Sequence, residues 1–207
     1  MIYPILSNSD SSNCYLVIDK KTALVDSGTG RDVIEKITET AGRFGGKIDF
    51  LINTHCHYDH TANDLIVKEK WNLKIAMHES EILSSETILS GLFNRKRDNI
   101  PVDIKLKEND VIDLGETKLK VIHTPGHTGG GICFYDEKTK SLFSGDTVFS
   151  DSIGRTDFSG GSFTDLKNSV EKLLRLNEEY GITALYPGHG MPGTGGDIEA
   201  VYMEWFS

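Results

Sequence analysis

The chain has 207 residues, 38% hydrophobic and 26% charged, which is ordinary for a folded protein and excludes disordered or collagen-like classes. Its net charge of −9 repels phosphate backbones, so nucleic acid is not an expected partner. No apolar run reaches the roughly 18 residues that span a bilayer, and the opening MIYPILSNSD lacks the basic start and apolar core of a leader. No membrane partner is therefore expected. Three widely spaced cysteines, Cys14, Cys56 and Cys133, read as free buried thiols and place the chain in the cytoplasm.

In chain order, strand-length apolar runs fall at 15–19 and 23–25, followed by a helix over 31–41. In that helix Val33, Ile34, Ile37 and Ala41 share a face and Gly42 ends the run. A strand is expected at 50–53, a helix at 63–71, a strand at 74–77 and a helix at 79–89. Strands at 119–122, 132–135 and 142–144 come next. A helix over 164–177 has Thr164 as its expected N-cap and Asp165 in its first turn. A strand at 184–186 and a helix at 197–205 finish the chain. This mixed order is not βαβ repetition, and it fits a layered sheet core with helices outside. No linker or fixed-period repeat is seen, so one domain over 1–207 is expected. The segment 88–101, with Phe93 and Arg95-Lys96-Arg97, is read as a loop whose role stays open.

Chemistry concentrates in Thr54-His55-Cys56-His57-Tyr58-Asp59-His60. Extended backbone points residues i and i+2 the same way, so His55 and His57 can grip one ion. A turn directly after them would aim Asp59 and His60 at a second point. Zinc normally takes four or five ligands. Further candidates are His127 in Thr124-Pro125-Gly126-His127, Asp146 in Ser144-Gly145-Asp146-Thr147, and His189 in Pro187-Gly188-His189-Gly190. Each of the four clusters follows a strand-like run, so strand ends on one sheet edge would gather them on loops. His78 and His123 read as capping or packing residues, and Cys56 as a bystander between two ligands. Gly28-Thr29-Gly30-Arg31 lacks the lysine of a phosphate loop and reads as a plain strand-to-helix turn.

His55-x-His57-x-Asp59-His60, followed in order by His127, Asp146 and His189, resembles the metallo-β-lactamase-fold superfamily, over about residues 26–189. The resemblance implies an α+β fold, a four-layer αβ/βα sandwich with two metals on one edge. It assigns His55, His57 and His127 to the first metal, and Asp59, His60 and His189 to the second, with Asp146 bridging. It also makes Asp59 the catalytic carboxylate and gives Asp26, in Leu24-Val25-Asp26-Ser27-Gly28, a supporting role behind the ligands. Two Zn2+ per chain are implied, with iron or manganese as alternatives.

Two cations lower the pKa of a bridging water toward neutrality, and the resulting hydroxide needs no Ser or Cys nucleophile. The cations also polarise a carbonyl and hold the oxyanion that forms. An alkyl thiolate leaves without prior protonation, since its conjugate acid has a pKa of about 8.5. Thioesters are thus easier substrates than amides. The β-lactamases generally carry Cys or Ser where this chain has Asp146. The stretch Gly145-Asp146-Thr147-Val148-Phe149, continuing to Gly154-Arg155-Thr156-Asp157-Phe158, resembles the glyoxalase II (hydroxyacylglutathione hydrolase) and persulfide dioxygenase branch. Arg155 is a candidate substrate anchor or loop brace, with a salt bridge to Asp157 as the plainer role. Beyond His189 there is room for one helix, not for the helical glutathione-binding domain of eukaryotic-type glyoxalase II, so the carrier thiol is left open. The expected function is a binuclear metal-dependent thioester hydrolase with a small-molecule substrate. The alternative is a mononuclear iron persulfide dioxygenase using His55, His127 and Asp146. A binding module that kept only the fold would have lost ligands, and all seven positions are filled.

Overall fold

The computed structural model describes residues 1–7, 10–81 and 101–207. The helix expected at 79–89 is helical over 79–81, and its remainder, with nearly all of 88–101, lies outside the described residues. Contacts divide the chain into two compact units, Met1–Leu106 with Leu114–Glu116, and Lys107–Asp113 with Thr117–Ser207.

The first unit is a six-stranded sheet in the order β1-β2-β3-β4-β5-β6. Its strands are β1 (Ile2–Ile5), β2 (Cys14–Ile18), β3 (Thr22–Val25), β4 (Phe50–Ile52), β5 (Lys74–His78) and β6 (Ile104–Leu106). β1, β2 and β3 pair antiparallel, whereas β3, β4, β5 and β6 run parallel. The parallel run requires helical crossovers. Among the described residues these are α1 (Arg31–Gly42) between β3 and β4, then the single turn α2 (Tyr58–Thr61) and α3 (Asp64–Trp71) between β4 and β5. Val33, Ile37 and Ala41 of α1 and Val67 of α3 bury against Leu16, Leu24, Leu51 and Ile75 of the sheet. α3 stops at Asn72, in left-handed conformation with φ 49°, a helix ending that asparagine tolerates.

The second unit is a five-stranded sheet in the order β11-β10-β9-β8-β7. Its strands are β7 (Val111–Asp113), β8 (Lys118–His123), β9 (Ile132–Asp136), β10 (Ser141–Gly145) and β11 (Ala184–Pro187). The first four form an antiparallel meander, and β11 returns parallel to β10. The helices α4 (Phe163–Tyr180) and α5 (Gly195–Phe206) place Val170, Leu173, Ile198 and Val201 on Ile122, Tyr135, Leu142 and Leu185.

The eight expected strands are present, within about a residue at each end. Three more, β1, β6 and β7, were not expected. Each is only three or four residues long, and Pro4 in β1 weakens the strand signal yet is tolerated because β1 is an edge. The N-cap of α4 is Ser162, not Thr164. Ser162 is extended and its Oγ accepts from the Asp165 amide at 3.2 Å, whereas Thr164 already lies inside the helix. α5 begins two residues before Asp197, which closes a capping box with Thr194.

All three cysteines are free and buried. Burial pushes the Cys133 thiol up to about 11, and burial, with Asp26 and Asp64 adding, pushes Cys14 well above the usual thiol range. Because the thiolate is the reactive form, an aromatic disulfide reagent at pH 8 is expected to label no thiol of the folded protein and all three in denaturant. Ser162→Ala is expected to cost about 1 kcal/mol in a urea titration, and Thr164→Ala less than about 0.5 kcal/mol.

Candidate metal centre

In the first unit the parallel strands β3, β4 and β5 all end at one edge of the sheet, and residues 53–57 lead from β4 to α2, with a bend at Thr54. His57 is extended, at φ −63° and ψ 150°, and α2 starts at the next residue. The turn expected after His57 is this helical turn. His55 and His57 lie side by side, with His55 Nε2 and His57 Nδ1 3.1 Å apart and the rings edge to face at 81°. α2 supplies Asp59 and His60, with Asp59 Oδ2 3.8 Å from His60 Nε2. The His55 and His60 ring centroids are 4.1 Å apart. The ligand atoms of His55 and His57, of His55 and His60, and of Asp59 and His60 lie within 4.8 Å of one another.

Asp26 organises this cluster from the end of β3. Its φ of 54° is a left-handed conformation that Asp tolerates better than most residues. Held there and buried, its Oδ1 accepts from the Thr54 amide at 2.8 Å and its Oδ2 from Thr54 Oγ1 at 2.8 Å. His60 Nδ1 lies 2.9 Å from the same Oδ2. A carboxylate only accepts, so the His60 proton sits on Nδ1 and the Nε2 lone pair is left for a cation. Thr54 spends its own proton on Asp26, so its oxygen accepts from His55 Nδ1 at 3.1 Å. His55 therefore also presents Nε2. On the other side of the segment, Glu81 Oε2 accepts from the Cys56 amide at 2.8 Å.

In the second unit β8, β10 and β11 run parallel to one another through the pairings with β9 and β10, so their C-terminal ends share an edge. His127, Asp146 and His189 follow those three ends. Asp146 Oδ2 lies 3.5 Å from His127 Nε2 and 3.6 Å from His189 Nε2. The Gly188 amide donates to the Gly145 carbonyl at 2.8 Å and ties two of the loops together. The His127 loop is pinned to α4. The Ser162 amide donates to the Gly126 carbonyl at 2.8 Å, and Ser169 Oγ donates to the Pro125 carbonyl at 2.7 Å. Gly126, at φ 137°, lies so close to α4 that a Cβ would meet the Leu166 amide nitrogen at 2.3 Å. Burial alone would raise the Glu108 carboxyl, but Lys172 and the His123 amide outweigh it and hold Glu108 below its ordinary value. Lys172 also donates to the His123 carbonyl, which anchors the end of β8.

Sequence reasoning missed two supports here. His127 Nδ1 donates to the Arg155 carbonyl at 2.6 Å, which fixes its tautomer and leaves Nε2 for a cation. Gly154 packs so tightly that a Cβ would fall 1.7 Å from the Asp146 carbonyl oxygen and 3.2 Å from His127 Cγ. The glycine was visible in the sequence, but a main-chain acceptor has no sequence signature. The Arg155 side chain takes the plainer of its two expected roles. Nε and Nη2 donate to Asp157 at 2.9 and 2.7 Å, and the guanidinium lies 4.5 Å from the Phe158 ring centroid. His78 accepts from the Ser80 amide at 3.3 Å and His123 lies 3.1 Å from the Gly129 carbonyl, as expected of packing residues.

Each unit thus offers imidazole nitrogens, with Nδ1 engaged behind them at His55, His60 and His127, beside a carboxylate. This donor set suits zinc, iron or manganese. The profile of the Metallo-beta-lactamase superfamily matches residues 8–189. The chain is a member of this superfamily of metal-dependent hydrolases. It is 38% identical to the probable metallo-hydrolase MJ0888 of Methanocaldococcus jannaschii, over 93% of this chain and 94% of that protein. It is 36% identical to a hydroxyacylglutathione hydrolase of Brucella ovis, over 84% of this chain and 60% of that protein. Among solved structures, the B3 metallo-beta-lactamase BLEG-1 aligns with a TM-score of 0.82 at 26% identity, over the whole of both chains. TTHA1623, solved in a di-iron-bound form, aligns with a TM-score of 0.79 at 30% identity over 96% of each chain. The α+β fold expected from the sequence is the metallo-β-lactamase fold. Among the described residues no helix is long and apolar enough to cross a membrane.

Gly154→Ala is expected to displace Asp146 and lower metal affinity by at least about 10-fold, the low end for a lost orienting contact. Arg155→Ala keeps the carbonyl that holds His127 and is expected to bind metal within about 3-fold of the parent. Chelator-competition titrations of both variants check this contrast.

Proposed function

We propose that this superfamily member is a binuclear metallohydrolase of small-molecule thioesters. In this reading His55, His57 and His127 would hold one cation, Asp59, His60 and His189 would hold the other, and Asp146 would serve both. The observation that carries it is the placing of one Asp146 oxygen at near-equal distance from two imidazole nitrogens, as a bridging carboxylate requires. The Brucella relative supports a thioester substrate. Zinc is the proposed native metal, one domain over 1–207 the proposed unit of function, and the cytoplasm the proposed location. Neither nucleic acid nor membrane enters as a partner.

Bound divalent cations supply Lewis acidity and a water acidic enough to ionise near neutral pH. The chain does the rest. Asp26 and the Arg155 carbonyl keep His60 and His127 in the tautomer that presents Nε2, and Asp26 acts on His55 through Thr54. Asp59, whose side chain is 35% exposed, lies partly open to solvent beside His60. A departing thiolate needs no proton, given a thiol pKa of about 8.5, so no further acid is required. The Arg155–Asp157 pair braces the loop behind His127.

Elemental analysis of protein purified without chelator is expected to find about two zinc per chain. Release of free thiol from S-D-lactoylglutathione and a panel of acyl thioesters is the expected activity. Losing an orienting partner costs 10–100-fold, so Asp146→Ala, which removes a ligand, is expected to cost roughly 100-fold or more in rate and to lower metal content. A metal-loaded protein inert toward the whole panel defeats the reading. About one iron per chain, with oxygen uptake on glutathione persulfide, would instead establish the alternative, a mononuclear persulfide dioxygenase.

A further inference from the structure

We infer that Glu81 is a positioning residue for the metal-binding segment, setting the peptide plane between His55 and Cys56 and so the angle at which the two imidazoles meet a cation. The inference rests on the metal-dependent reading above. Glu81 is fully buried, arrives on the helical residues 79–81 that follow β5, and reaches across 25 residues to accept from the Cys56 amide at 2.8 Å. β5 and β3 are the two sheet neighbours of β4. From the β3 side, Asp26 accepts from the Thr54 amide at 2.8 Å. The amides on either side of His55 are thus each held by a buried carboxylate sent from the end of a flanking strand.

The opposite side of the segment is held as well, because Thr61 Oγ donates to the His57 carbonyl at 2.9 Å. With these contacts in place, rotation about the backbone bonds between His55 and His57 is restricted. That keeps His55 Nε2 and His57 Nδ1 at 3.1 Å. Without the Glu81 contact the amide plane can turn and the rings diverge. What the Glu81 side chain supplies is an acceptor oxygen within reach of the Cys56 amide, a buried donor that must find a partner. In this scheme Glu81 touches neither substrate nor cation and acts through the backbone.

The test uses the full chain with Zn(II) or Co(II) alone. Glu81→Met keeps the volume but offers only a weak sulfur acceptor, and Glu81→Gln keeps an acceptor oxygen at the same reach. Zn(II) affinity is measured by chelator competition, the Co(II) environment by its visible absorption bands, and thermal unfolding with and without metal. Glu81→Met is expected to bind Zn(II) roughly 10–100-fold more weakly, to shift the Co(II) bands and to show a smaller metal-induced rise in Tm. Glu81→Gln is expected to recover affinity to within a few-fold and to restore the Co(II) spectrum. Wild-type affinity in Glu81→Met, an unchanged metal-induced rise in Tm, or a glutamine variant as impaired as the methionine one each overturn the inference. If Glu81→Met does not fold, Glu81→Asp, one methylene shorter, takes its place with the same expected and overturning results. A parent chain that takes up no metal instead defeats the proposed function, and the inference falls with it.

Discussion

A single buried carboxylate, Asp26, decides where the protons lie in the first unit. It has only acceptor oxygens, so every group that meets it must donate. Thr54 donates through both its amide and its hydroxyl, His60 donates through Nδ1, and His55 is set at one remove through the Thr54 oxygen. Two imidazoles are thereby left with the nitrogen that can accept a cation. The strained backbone at Asp26 is what brings the carboxylate to this position, and such strain persists only where surrounding contacts hold it. Here those contacts include the amide of Asp26 itself, donating to the Ile52 carbonyl of β4.

The two units reach the same end by the same rule. Parallel strands finish at a common edge, and loops beyond carboxyl ends are where open sheets carry their ligands. In the first unit β3 and β4 deliver Asp26 and the histidine segment. In the second, β8, β10 and β11 deliver His127, Asp146 and His189. The supports behind the ligands differ in kind, however. The first unit orients its imidazoles with buried acidic side chains, and the second orients His127 with a peptide carbonyl.

The candidate ligands were legible in the sequence because chemistry of this type is local. Three histidines and an aspartate within six residues are rare, and each remaining ligand directly follows a recognisable apolar run. Most strands were legible for the same reason, since buried central strands read as continuous apolar stretches. The edges were not. β6 and β7 are three residues each, too short to show a period, and their existence depends on neighbours supplied by the fold. The α4 cap was misplaced because Ser162 and Thr164 are both good caps and only backbone conformation separates them. Glu81 was illegible because its partner lies 25 residues away and is a main-chain amide.

The carbonyl behind His127 has a consequence for how this protein can vary. Every residue type carries the same peptide oxygen, so a change of side chain at position 155 loses the pairing with Asp157 but keeps the acceptor for the imidazole. Path length is a stricter matter. The return from Asp146 to Gly154 closes on itself through the Val148–Ile153 bridge, and an inserted or deleted residue there would carry the oxygen out of reach. Across descendants of this chain, indels in that stretch should be purged while substitutions at 155 accumulate.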